Sequence, residues 1–201
     1  FRIAALDLEL RGAGNILGAE QSGHIGAIGY ELYMKMLEEA IQDSQGHLPA
    51  INEVHIDLGK SQISSQWIDQ SADRLVIYKR ISRLKELVDL ETYRQELEDR
   101  FGSISSHDTD TLEFFEKMKL KLWAQKLGIH AIVAKRNDIF IKISPAAPIN
   151  IPQIIEMTTR ISGAQFHTDG SLSVPSKSSM TETLTMLMSL FKSWHKTQKN
   201  D

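Results

Sequence analysis

The sequence predicts an α+β protein of mixed helices and short β-hairpins. Apolar residues recur at helical spacing in several stretches, and two pairs of short apolar runs are each separated by turn-forming residues. These hairpins and helices fill the second half without regular βαβ alternation, which disfavours a doubly wound parallel sheet. With 201 residues, 41% of them hydrophobic, the chain can bury one ordinary core plus an appendage, or two small cores.

Taken in order, residues 1–10 (FRIAALDLEL) alternate loosely and suggest an extended segment. Arg11 to Gly29 then holds half of the 12 glycines. From Tyr30, the spacing of Tyr33, Met36, Leu37, Ala40 and Ile41 predicts a helix stopped by Gly46 and Pro49. HLPAIN reads as a linker, and VHIDL as a short strand. Leu75, Ile77, Tyr78, Ile81 and Leu84 mark one helix, and a second covers roughly 90–100 before Gly102. Asp110 or Thr111 is the expected cap of the next, in which Leu112, Phe115, Met118 and Leu122 share a face up to Gly128.

HAIVAK and IFIKIS flank Arg136, Asn137 and Asp138 as a hairpin. Pro152 suits the start of a helix reaching about Ile161. AQFHT and SLSV form a second hairpin around Asp169–Gly170, read as a two-residue turn. The last helix, about 179–197, places Leu184, Leu187, Met188, Phe191 and Trp194 on a core face widened by Met186 and Leu190; partner binding is the alternative if part of that face is exposed.

The glycines do not fit the usual phosphate cradles. Gly12, Gly14 and Gly18 are spaced one residue too long for GxGxxG, and no Lys-Ser or Lys-Thr pair follows to make a Walker A loop. A structural loop that uses glycine for positive φ and close backbone approach is the plain reading. The seven histidines are scattered without HExxH, so surface or core roles outweigh metal binding. Asp7, Glu9 and Glu20 could pair for acid-base chemistry, but charges between elements are more often solvated or ion-paired. Lys117, Lys119, Lys121 and Lys126 suggest a solvated helix face, with phosphate contact the alternative. A formal charge of −3 makes no global case for nucleic acid. The absence of cysteine excludes disulfides and thiolate chemistry and fits a cytoplasmic location, and no apolar run approaches the roughly 18 residues of a membrane span. A start at Phe1 without an initiator Met raises the expectation of a piece of a longer protein.

Asp7 to Gly23, DLELRGAGNILGAEQSG, closely resembles the translocation motif that follows the last helicase motif of RecG-type DNA translocases. HIGAIGYELYMKMLEEAI, Asp57-Leu58, YKRIS at Tyr78 to Ser82 and DRFG at Asp99 to Gly102 carry the likeness further, to the bacterial transcription-repair coupling factors. Two departures limit it: SISSHDT (Ser103–Thr109) stands where a Pro-containing run is expected, and the lysine-rich helix beyond does not align.

The resemblance implies a division into residues 1–48, the end of a translocase lobe with its motif and linker, and residues 49–201, an α+β regulatory domain. It implies that Arg11, Gly12, Gly14, Gly18, Gln21 and Gly23 couple ATP hydrolysis to movement. The glycines would let the backbone bend; Arg11 offers a planar multi-donor cation, and Gln21 both donates and accepts. No catalytic residue, metal site or cofactor is expected here, because neither a Walker A loop nor a DEAD-type Mg²⁺ motif is present; ATP and Mg²⁺ belong to the parent's motor. The implied partners are the parent's own N-terminal repair-helicase-like module, RNA polymerase, UvrA and duplex DNA, with no membrane. The rivals are the C-terminal part of a RecG-type fork-remodelling helicase and a stand-alone adaptor domain.

Overall fold

The computed structural model describes residues 29–36, 54–148, 151–159 and 161–198. The glycine-rich motif through Ile28 and the HLPAIN linker lie outside them. The elements are helix α1 (residues 30–36), β1 (His55–Asp57), α2 (Ser71–Ser82), α3 (Leu87–Phe101), α4 (Thr109–Lys126), β2 (Ile129–Lys135), β3 (Asp138–Ile143), α5 (Ile151–Thr158), β4 (Gln165–Phe166), β5 (Ser171–Pro175) and α6 (Met180–Gln198). The α+β expectation holds, and both hairpins form.

The strands make one mixed sheet in the order β1-β2-β3-β5-β4. Its antiparallel part follows from local pattern: Ile139, Ile141 and Ile143 alternate inward along β3, opposite Leu172 and Val174 of β5. The parallel pair β1–β2, with Ile56 opposite Ile132, is the part that pattern reading did not supply. It closes only through a crossover containing α2, α3 and α4, the long connection that parallel neighbours require.

Two apolar cores result. One lies between the sheet and α6, joining Ile132, Ile141 and Leu172 to Leu187, Phe191 and Trp194, so the wide face of the last helix is core as expected. The other is helical and aromatic, built from Tyr30, Tyr78, Tyr93, Phe114 and Phe115 with aliphatics from α2 and α3. Helix α4 belongs to both: Phe114, Phe115, Met118 and Leu122 enter the aromatic core, while Leu120, Ala124 and its C-cap residue Leu127 enter the sheet core.

That double duty corrects the lysine reading. Lys117 is 1% exposed and Lys121 9% exposed, so they do not form a solvated face or a phosphate-contacting one. The Lys117 ammonium donates to the carbonyls of Lys60 (2.5 Å) and Gly59 (3.4 Å), and desolvation lowers its pKa against the pull of Glu113, Glu31, Asp110 and Asp57. Lys119 pairs with Glu91 and Glu116, and Lys126 with Glu86, at 2.6–2.8 Å.

Two local expectations are also revised. Asp108, the residue immediately before the helix, caps α4, its carboxylate accepting from the Thr111 N–H (3.1 Å) and hydroxyl (2.8 Å), while Asp110 in the first turn binds Lys60 and Gln62. In the second hairpin the Gly170 N–H bonds the His167 carbonyl at 3.0 Å and the His167 N–H bonds Ser171 O at 2.8 Å. The loop is therefore Thr168-Asp169-Gly170, a tight turn followed by glycine at φ 78°, because Asp169 is held by the Ser171 N–H and hydroxyl while only Gly170 takes the left-handed position.

Candidate interaction surface

Among the described segments that carried the family likeness, YKRIS and DRFG lie on the helical half. In YKRIS, Tyr78 is fully buried and its phenolic oxygen accepts from the Ile63 N–H at 2.8 Å, tying α2 to the segment before it. Arg80, on the outer side of α2, lies over the Tyr93 ring at 3.9 Å and reaches Glu96 at 2.9 Å. In DRFG, Arg100 covers Phe101 at 4.7 Å, and Gly102 ends α3 with φ 89° and ψ 163°, a backbone region open essentially to glycine alone. Trp67 donates its indole N–H to the Gly102 carbonyl (2.7 Å) and packs edge-on against Phe101 and Phe115. Asp57-Leu58 lies at the end of β1, with Leu58 buried in the sheet core.

Between α2 and α3 these side chains form a shallow groove. Val76, Tyr93, Leu97 and Phe101 supply its apolar part, and Arg80, Arg100, Glu96 and Asp73 its charged margins. Val76 at 64% and Val88 at 74% are the most exposed large aliphatics of the described residues. Arginines stacked on aromatic rings beside exposed aliphatics are the side-chain types that dominate protein interfaces. The exposed ion pairs add little stability, so they can be exchanged for a partner's charges at small cost.

Burial pushes the Tyr78 phenol up to about 12, with the Ile63 N–H and Arg74 pulling partly back. Its contribution to stability is therefore complete below the ordinary tyrosine value of about 10 and is lost as pH rises from there through about 12. Tyr78→Phe, which strands the Ile63 N–H, is expected to cost about 1–3 kcal/mol in urea unfolding and to remove Tyr78's share of the alkaline loss, leaving that of Tyr33 and Tyr93, whose phenols burial also pushes up.

No group of three or more His, Asp or Glu is placed to hold a metal ion among the described residues. His167 instead stacks on Phe140 with Nε2 2.9 Å from Ser173 Oγ, and His195 packs on Trp123. No described helix is long and apolar enough to cross a membrane. The expected coupling residues Arg11, Gly12, Gly14, Gly18, Gln21 and Gly23, and the carboxylates Asp7, Glu9 and Glu20, lie outside the described residues. The buried role of Lys117 was missed, although the dense apolar residues on both sides of α4 carried its signal.

A five-stranded mixed sheet backed by helices, with an aromatic helical layer bearing an Arg-rimmed groove, defines an α+β domain. Residues 59–154 match the TRCF domain. A transcription-repair-coupling factor of Helicobacter pylori is 40% identical over 144 residues, covering 71% of this chain and 14% of that protein. One from Rickettsia conorii is 34% identical over 181 residues, covering 86% and 15%. A crystal structure of the C-terminal domain of transcription-repair coupling factor superposes with a TM-score of 0.64 at 17% identity, over 74% of this chain and 96% of that one. The chain belongs to the transcription-repair coupling factor family and has the fold of its C-terminal domain. It spans about one-seventh of the length of the curated relatives it matches.

Proposed function

We propose that this chain serves an ATP-dependent DNA translocase that displaces stalled RNA polymerase and recruits nucleotide excision repair. Within that parent, residues 1–48 end the translocase lobe and residues 49–201 form the regulatory domain. Arg11, Gly12, Gly14, Gly18, Gln21 and Gly23 couple hydrolysis to translocation, while the C-terminal domain masks the UvrA-binding surface of the N-terminal repair-helicase-like module. ATP and Mg²⁺ act in the parent's motor, duplex DNA is its track, and the cytoplasm is its site of action. The observation that carries this reading is the TRCF domain match over residues 59–154, joined to the motif at Asp7–Gly23.

The α2–α3 groove suits a masking role physically. Contacts between domains of one chain are commonly modest and polar, and a competitor opens them only through its differential affinity for the two states. Deleting residues 49–201 from the parent is therefore expected to raise UvrA affinity about 5- to 150-fold, the usual range of coupling energies. A titration of UvrA against intact and truncated parent measures this. Equal affinities, with the truncated protein shown to be folded, would remove the masking role.

A further inference from the structure

The aromatic core is completed by a segment from the far side of the linker. Tyr30 is 4% exposed, with its ring edge-on to Tyr78 and to Phe114, each at 5.8 Å. Its N–H donates to the Ser61 carbonyl at 2.9 Å, and its hydroxyl lies 3.4 Å from the Lys121 ammonium. One turn on, Tyr33 packs against Tyr78 at 6.3 Å and Met34 lies against the same cluster. Gly29 suits the approach: a Cβ there would stand 3.1 Å from the Ser61 carbonyl oxygen, closer than most side-chain contacts. The receiving surface is built by residues 61–122, and Tyr78, its centre, is fixed by Ile63 independently of Tyr30.

We propose that this surface is a seat for residues 29–36, which attaches the sequence following the glycine-rich motif to the C-terminal domain non-covalently, in parallel with the chain through residues 37–53. The occupant is set by complementarity. A glycine permits close approach, a tyrosine ring fills the notch between Tyr78 and Phe114, and its hydroxyl meets the Lys121 ammonium, which lies over that ring at 5.3 Å. Only five residues separate Gly23 from Gly29, so a rearrangement of the motif pulls directly on the seat. Resting on the motor reading above, the seat is a contact through which the domain senses the nucleotide state of the motor.

Hydrogen exchange read by mass spectrometry tests both parts. In this chain, Tyr30→Ala should raise exchange of peptides covering 30–36 at least about ten-fold, and raise it at the Tyr78 and Phe114 peptides. Tyr30→Phe, which keeps the ring and loses only the hydroxyl, should stay near wild type, and it serves as the control if Tyr30→Ala loses overall structure. In the intact parent, protection of 30–36 and of the seat should change together between an ATP analogue and ADP. Unchanged exchange at 30–36 in folded Tyr30→Ala would overturn the seat. Equal protection in all nucleotide states of a parent that hydrolyses ATP would overturn the sensing role. A parent without ATP-driven movement on DNA would instead defeat the motor reading and leave the first comparison standing.

Discussion

Phe114→Ala is expected to destabilise the domain by about 3–5 kcal/mol, the usual cost of removing a buried phenylalanine. Phe114 is fully buried and meets three rings: Tyr30 and Tyr78 at 5.8 and 5.4 Å, and Phe115 at 5.3 Å. The cavity cannot readily collapse, because Tyr78 is held by Ile63 and Phe115 is packed beneath Trp67. Against a total stability of about 5–15 kcal/mol, the loss is about a fifth or more. Since α4 also enters the sheet core, urea unfolding should remain one transition with a lowered midpoint and little change in slope. Val88→Ala, at a 74% exposed position, should stay within about 0.5 kcal/mol of the parent sequence. A Phe114→Ala change below about 1 kcal/mol would contradict this packing.

Arg11→Ala in the intact parent is expected to abolish displacement of stalled polymerase while leaving ATP and DNA binding near normal. If Arg11 holds a carboxylate or phosphate in one orientation within a bending glycine loop, its planar fork is what converts hydrolysis into directed movement. Arg11→Lys keeps the charge but loses the fork, and should therefore fail to restore displacement. Gln21→Ala should act in the same direction. Displacement and ATPase rates measured side by side separate coupling from catalysis. Normal displacement by the Arg11→Ala parent would refute the coupling role.

The resemblance to the family was legible because its segments place special chemistry in fixed spots. DRFG puts a glycine where α3 must end at φ 89°, with its carbonyl presented to Trp67, and YKRIS puts a tyrosine where a backbone N–H needs an acceptor. The α2–α3 groove was not legible, since it depends on how two helices of modest amphipathicity lie against each other, and only then does Arg80 of α2 come to cover Tyr93 of α3.

By itself, the sequence determined which stretches form helices and hairpins, because 3.6-residue and 2-residue periodicities and turn glycines act within a few residues. It marked the core face of α6 for the same reason: Leu184, Leu187, Phe191 and Trp194 recur on a single stripe. Only the tertiary structure decided what lies on the other side of each element. Lys117 and Lys121 look solvated along α4 until residues 59–60 and Tyr30 are folded over them. β1 looks isolated until the crossover returns β2 beside it, and residues 29–36 read as part of what precedes them until Tyr30 enters the aromatic core. Burial is a property of pairs of surfaces brought together across many residues, and a local pattern records only one surface of each pair.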